Sequence, residues 1–367
     1  REGASPRNDR HNNTPTHSAG TGNRIFFMIR SLDETSQFTM YKINNHLPIL
    51  QIRTGKVSGK TFRTRRAGVA DTEILVSLPL GISDHEIHAV HFLRYSMMKN
   101  LFCVKDRVVA ITGATGVLGR SMVLHFAEQG ARVVLMGRKA ETGLALQREA
   151  AAAGGDALFV AADVLNKEDI ERAYSEIMER YGRIDVLING AGGNMPGATI
   201  APDKTIFDLD MKAFRDVVDL NLFGTVLPTM AFARAMVAAR GGSIINIASE
   251  SAIRPLSRVA GYGVAKAAVV NFTKYLCGEL ALKYGDGFRV NAIAPGFFLT
   301  EQNRALLTNP DGSLTPRSEA ILGHTPFRRF GEPEELLGTL QWLPSDASRF
   351  VSGTVTVIDG GFDAFSI

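Results

Sequence analysis

From Arg107 onward the sequence alternates short apolar, β-branched runs with longer helical stretches, and this alternation restricts the fold more than any other feature. Val108 to Thr112 is an apolar run, Gly113 to Gly119 a glycine loop, and Arg120 to Gln129 a helical stretch stopped by Gly130. Arg132 to Met136 is the next strand. The pattern then predicts helix 140–153, strand 157–161, helix 167–181, strand 185–189, a long helix 208–239 and strand 243–248. Helix 258–284, strand 289–293, a loop-rich region, helix 333–343 and a last strand 353–358 complete it. Strands alternating with helices imply right-handed βαβ crossovers and a parallel sheet covered on both faces. The expected fold is therefore α/β: a doubly wound, parallel, seven-stranded, Rossmann-like sheet in a single domain over residues 98–367.

The first hundred residues do not share this order. Residues 1–97 carry 13 Lys and Arg against 8 Asp and Glu, while 98–367 carry 28 against 29. The basic excess thus sits outside the βα body, and no nucleic-acid partner is expected. Residues 1–23 are polar and nearly free of apolar side chains, a composition that predicts disorder. Ile25 to Tyr95 holds apolar fragments without a sustained period, and neither a signal-peptide nor a transit-peptide pattern is present. Residues 1–97 are expected to be a disordered or irregular extension not needed for catalysis, with Met98 as a natural start; a small accessory domain is the rival reading. No apolar run reaches the ~18 residues of a membrane span, so no membrane partner is expected. Cys103 and Cys277 are the only cysteines, which points to a reducing, cytoplasmic setting.

The loop Thr112-Gly113-Ala114-Thr115-Gly116-Val117-Leu118-Gly119 follows the first strand and opens the first helix. Glycines there allow a tight turn and close backbone approach to a pyrophosphate, which a helix N-terminus favours. A dinucleotide cofactor is expected on Thr112, Gly113, Thr115, Gly116, Val117, Leu118 and Gly119; without its strand–loop–helix setting the motif would read as a bare turn. At the end of the second strand, where an acid would bond the 2′-hydroxyl of NAD, stands Gly137-Arg138-Lys139. Two bases and no acid favour a 2′-phosphate, hence NADP(H). Arg138 stacking on adenine would suit NAD(H) equally.

Tyr262 and Lys266 lie four residues apart at the opening of a helix, with Ser249 thirteen residues upstream. Side chains at i and i+4 share a helix face, so the ammonium is expected to lower the phenol's pKa and make it a general acid/base. The spacing alone also fits a solvated surface pair. No His/Cys/Asp grouping has metal-ligand spacing, and no metal is expected.

With Gly113, Gly116 and Gly119, then Asn189-Gly190-Ala191-Gly192, then Ser249, Tyr262 and Lys266, the chain resembles the short-chain dehydrogenase/reductase family over about residues 101–367. The glycine spacing is more typical of the family's longer members, the Ser/Tyr/Lys context of its shorter ones. The resemblance implies Tyr262 as proton donor and acceptor, Lys266 as the cation that tunes it and binds ribose, and Ser249 as holder of the substrate oxygen. Asn221 would support a water relay to Lys266. It further implies cofactor contacts from Asp163, Val164, Asn189, Ala191, Gly192, Pro295, Gly296 and Thr300, alongside Arg138, Lys139, Tyr262 and Lys266. A homotetramer or homodimer through the two long helices and the last strand is also implied. Plainer roles remain for Ser249 as a strand-end cap and for Asn221 as a helix polar group bonding backbone.

Longer stretches, among them Asn189 to Pro196, Phe207 to Asp210, Ala294 to Leu307 and His324 to Leu336, resemble the bacterial D-mannonate oxidoreductase (fructuronate reductase)-like branch. The implied reaction is hydride transfer between nicotinamide and a keto-sugar acid, D-fructuronate to D-mannonate. Residues 297–330 are expected to form a lid rich in Arg and Asn, suited to a carboxylate and hydroxyls. Candidate substrate residues are Asn194, Arg254, Gln302, Asn303 and Arg304, any of which would equally fit a solvated surface. Gluconate or polyol dehydrogenase and 3-oxoacyl reductase are the alternatives within enzymes. A dinucleotide-binding regulator without turnover is the alternative outside them.

Overall fold

The computed structural model describes five strands within residues 27–79, then residues 101–299 and 307–365. The chain divides into two compact units, Arg1–Lys99 and Asn100–Ile367. In the first, β1 (Phe27–Ser31), β2 (Gln37–Lys42) and β3 (Leu50–Arg53) form an antiparallel sheet, and β4 (Gly59–Thr64) pairs antiparallel with β5 (Ile74–Pro79). Strands of four to six residues are too short to impress a period on the sequence, which is why only apolar fragments show there. Residues 1–23, expected to be disordered, and Met98 lie outside the described residues.

The second unit is the expected doubly wound sheet. Its strands are β6 (Val108–Thr112), β7 (Arg132–Gly137), β8 (Asp156–Ala161), β9 (Val186–Asn189), β10 (Gly242–Ile247), β11 (Phe288–Pro295) and β12 (Val355–Ile358). They pair in parallel in the order β12-β11-β10-β9-β6-β7-β8. The order reverses between β6 and β9, and ligands of open α/β sheets bind in that crevice at the strands' carboxyl ends. Alternate residues of each strand feed two separate cores. Val109, Ile111, Val133 and Leu135 pack with α1 (Val117–Glu128) and α2 (Ala140–Ala152). Val108, Ala110, Val134 and Met136 face α3 (Lys167–Tyr181) and the long central helices. Burial on both faces explains why these strands read as continuous apolar runs.

The helix expected over 208–239 is interrupted. It comprises α4 (Met211–Val218), a π-helical turn at Asp219–Phe223 and α5 (Gly224–Ala238). Periodicity over 11 or more residues does not register one extra residue per turn, so the break was invisible in sequence. This combined stretch, Met211–Ala238, has the length and apolarity of a membrane span, although charged residues interrupt its apolar run. Half of its most apolar window is buried within the fold. The helix α6 (Ala260–Tyr284) follows β10, and α8 (Leu337–Trp342) precedes β12. Between them the loop-rich region contains an unexpected helix, α7 (Pro316–His324), capped by Thr315, whose hydroxyl accepts from the Ser318 amide. Thr315 followed by Pro316 at the first helical position was its available signal.

Candidate active site

The glycine loop is held tightly against the neighbouring strand. Gly113 has φ +67°, and a Cβ there would stand 2.7 Å from the Gly190 oxygen and the Ala191 nitrogen. At Gly119 a Cβ would meet the Gly113 carbonyl at 2.2 Å. Thr112 completes this joint: its hydroxyl accepts from the Gly190 and Ala191 amides, both at 3.1 Å. The first turn of α1 receives no side-chain cap and carries no acid. An uncapped helix N-terminus behind a loop of small residues fits a cofactor pyrophosphate. Arg138 and Lys139 are exposed at the end of β7, where neither forms an ion pair with a described residue, and so fit a 2′-phosphate. Val164 is buried beneath Gly224, while the Asp163 carboxylate caps its own loop by accepting from the Leu165 amide at 3.0 Å.

Asn189 turns its side chain away from the strand end. Its side-chain amide is buried and donates to Thr229 Oγ1 and Asn246 Oδ1, each at 2.8 Å, and Asn246 donates onward to Thr273. The strand's alternation turns this side chain into the helix-facing layer, so only its backbone stands at the strand end. Ala191, Gly192, Pro295 and Gly296 do lie at the carboxyl ends of their strands or just beyond. A Cβ on Gly296 would collide with Asp359 at 2.6 Å, so this turn is pressed against the segment after β12.

Ser249, Tyr262, Lys266 and Asn221 are brought together by β10, the start of α6 and the π turn. The Ser249 side chain lies near enough to the Tyr262 phenol to lower its pKa. Lys266 is 3% exposed, its Nζ donating to the Ile247 carbonyl at 2.7 Å and lying 5.7 Å from the Tyr262 ring centre. Asn221, fully buried, donates to the carbonyls of Gly193 and Val217 at 2.8 Å and accepts from the Gly193 amide at 3.0 Å. A Cβ on Gly192 would meet Asn221 Oδ1 at 2.6 Å and Lys266 Nζ at 3.1 Å, so the glycine strand end lies directly over both. Asn221 thereby locks the 192–193 loop onto the lysine.

The electrostatics correct one expectation. Burial raises the Tyr262 pKa, against a smaller lowering by the Ser249 side chain. Burial also pulls Lys266 down to about 8, because its ammonium has a carbonyl but no anion beside it. Desolvation acts on both members of the pair and outweighs their mutual effect.

Sequence reasoning missed Glu250. It is 1% exposed, and neither carboxylate oxygen has a hydrogen-bond partner. Burial first, then the charges of Asp363 and Asp359, push it up to about 7 against an opposing pull from Arg254. Its place beside Ser249 was the only available hint. Ser251, two residues after Ser249, is buried with its hydroxyl unpartnered.

Of the substrate candidates, Arg254 is committed elsewhere: its Nε bonds Asp363 Oδ1 at 2.6 Å. Asn194 is exposed and donates to Thr199 at 2.6 Å. Thr300, Gln302, Asn303 and Arg304 lie outside the described residues. Among the described residues no group of three or more His, Cys, Asp or Glu could hold a metal.

Residues 113–363 match the family model described as enoyl-(acyl carrier protein) reductase. The chain is 44% identical over 269 residues to UxuB of Bacillus subtilis, itself an uncharacterized oxidoreductase; the match spans 71% of this chain and 96% of that protein. A Haemophilus influenza structure provisionally assigned as a D-mannonate oxidoreductase, with bound NAD, is 40% identical with a TM-score of 0.68, covering 72% of this chain and 97% of that one. A gluconate 5-dehydrogenase from Burkholderia cenocepacia J2315, in complex with NADP and tartrate, is 32% identical with a TM-score of 0.66, covering 73% of this chain and 99% of that one.

Proposed function

The chain belongs to the short-chain dehydrogenase/reductase family and is an NAD(P)-dependent oxidoreductase; from that premise we propose that it interconverts a keto-sugar acid and its hydroxy acid, D-fructuronate and D-mannonate, using NADP(H). The observation that carries the reading is buried Lys266 set 5.7 Å from the Tyr262 ring centre and held under the Gly192 strand end with Asn221, with Ser249 near the phenol. The likeness to the Haemophilus influenza protein favours a sugar acid as the ketone.

When bound, the nicotinamide supplies or accepts the hydride. Ser249 donates a hydrogen bond to the ketone oxygen, and Tyr262 places its phenolic hydrogen toward the same atom. As charge develops on that oxygen, Tyr262 Oη transfers its proton and the hydroxyl of the product forms. A phenol with a raised pKa is protonated at neutral pH, the form that reduction needs. Lys266, held by the Ile247 carbonyl, carries the positive charge that stabilises the resulting phenolate.

Arg138 and Lys139 support NADP(H), and the two solved relatives divide between NAD and NADP. A second reading, gluconate dehydrogenase, is favoured by the Burkholderia relative. Exposed Met230, Tyr275 and Leu282 on α5 and α6, the last 90% exposed, support a homo-oligomer through these helices. A monomer in sedimentation equilibrium would remove that part. Cys103 and Cys277 are both free, which suits a cytoplasmic setting. The test of function is a spectrophotometric panel of D-fructuronate, 5-ketogluconate and a 3-oxoacyl thioester with NADPH and NADH. D-Fructuronate with NADPH is expected to give the highest kcat/KM; clear turnover of another ketone with none of D-fructuronate would overturn the proposal.

A further inference from the structure

Arg254 is neutralised by Asp363, so the substrate's carboxylate needs another receptor. A cavity of about 180 Å³ opens between the loop before α6 and the lid helix α7, lined by Leu256, Ser257, Phe297, Arg317, His324 and Phe362 among others. Its position is tied to the catalytic residues by chain connection. Ser257 and Arg258 lead directly into the helix turn bearing Tyr262, and Phe297 follows the Pro295-Gly296 turn. His324 and Phe297 both stack edge-on against Phe362, giving one wall an aromatic face.

We propose that Arg317, with Arg258 beside it, is the receptor for the substrate carboxylate; the inference rests on the sugar-acid reading of function. Arg317 donates to Ser257 Oγ at 3.2 Å, which sets it across the gap from α7 to the loop before α6. Arg258 is fixed by a reciprocal pair with Ile200: its Nε donates to the Ile200 carbonyl at 2.7 Å and its own carbonyl accepts from the Ile200 amide at 3.0 Å. It holds φ +74°, a left-handed conformation that a non-glycine residue adopts only when its surroundings fix it. Among the described residues neither guanidinium forms an ion pair, and Glu319, the acid on the same helix, is exposed. Burial, and after it the Arg258 charge, lower the Arg317 pKa, as expected of two like charges brought together without a counter-ion. A carboxylate between them supplies that charge, and the planar guanidinium matches its two oxygens. In D-fructuronate the carboxylate lies toward the opposite end of the carbon chain from the ketone, so a receptor on the lid leaves the ketone for Ser249 and Tyr262.

The test is steady-state reduction of D-fructuronate by wild type, Arg317→Gln and Arg317→Lys, with thermal unfolding as the check on folding. Losing a charge-assisted contact is expected to raise KM about 10–100-fold in Arg317→Gln, with a much smaller change in kcat. Arg317→Lys is expected to recover part of the affinity, which a purely packing role would not give. Equal KM in folded Arg317→Gln overturns the receptor while leaving the sugar-acid function standing. If wild type does not reduce D-fructuronate, the functional reading fails, and the receptor is judged by calorimetric titration with tartrate. Binding weakened in Arg317→Gln then supports it; absent binding, or binding equal in the two proteins, overturns it.

Discussion

Tyr262 and Lys266 are both pulled toward their uncharged forms, and this gives the reaction a directional pH dependence. Reduction needs the phenol protonated and the ammonium charged, so its kcat/KM is expected to fall above about pH 8, where Lys266 loses its proton. Oxidation needs the phenol to give up its proton, which the raised Tyr262 pKa opposes, so its rate is expected to rise with pH and not to share that fall. Parallel pH profiles in the two directions would remove this assignment. Glu250 makes a separate prediction about stability. Its folded pKa of about 7 exceeds the ordinary 4.5, so the native state keeps a proton that the unfolded chain releases between those values. Stability from this group is therefore full below about pH 4.5 and falls as pH rises to about 7. Glu250→Gln should stabilise the protein at pH 8 by roughly 1–3 kcal/mol and much less at pH 5; equal effects at both would contradict the buried acid. Spacing placed Tyr262, Lys266 and Ser249 in one site. It could not show that burial outweighs their mutual charge effect, because desolvation depends on what covers the pair in space. Arg254 shows the same limit: its partner Asp363 lies 109 residues away.

Among the elements, the strand–loop–helix unit at Val108 to Glu128 was legible because its glycines are required by backbone geometry. The π turn at Asp219–Phe223 was not, yet it is what presents Asn221. A polar side chain in a buried regular helix would bond its own backbone. Here Asn221 bonds Val217 in that way and also clasps Gly193 across the gap. Asn221→Ala would leave the Gly193 amide and carbonyl without these partners, at a cost of about 1–3 kcal/mol. It is expected to lower kcat more than cofactor affinity, since Gly192 rests against Lys266; an unchanged kcat would restrict Asn221 to a structural role. Asn189 was legible as a strand-end residue, but its side chain's direction depends on strand register, which no local motif fixes.

For the whole molecule, seven strands in their observed order follow from βα alternation, because short right-handed crossovers leave few arrangements. The segment before α8 read as loop-rich and not as containing a helix, since α7 has only nine residues and one strong cap. The relatives are matched over nearly their full length by about seven-tenths of this chain. A chain beginning at Met98 is accordingly expected to keep kcat/KM within about twofold of the full chain, and loss of activity would make residues 1–97 part of the enzyme. The central claim is that this fold delivers a proton from Tyr262 to the ketone of a sugar acid. Its most direct test compares wild type with Tyr262→Phe for NADPH-dependent reduction of D-fructuronate, with cofactor binding followed by fluorescence. The expected result is turnover in the wild type, a loss of about 10²–10⁴-fold in the variant and unchanged cofactor affinity; equal turnover in the two proteins would contradict it.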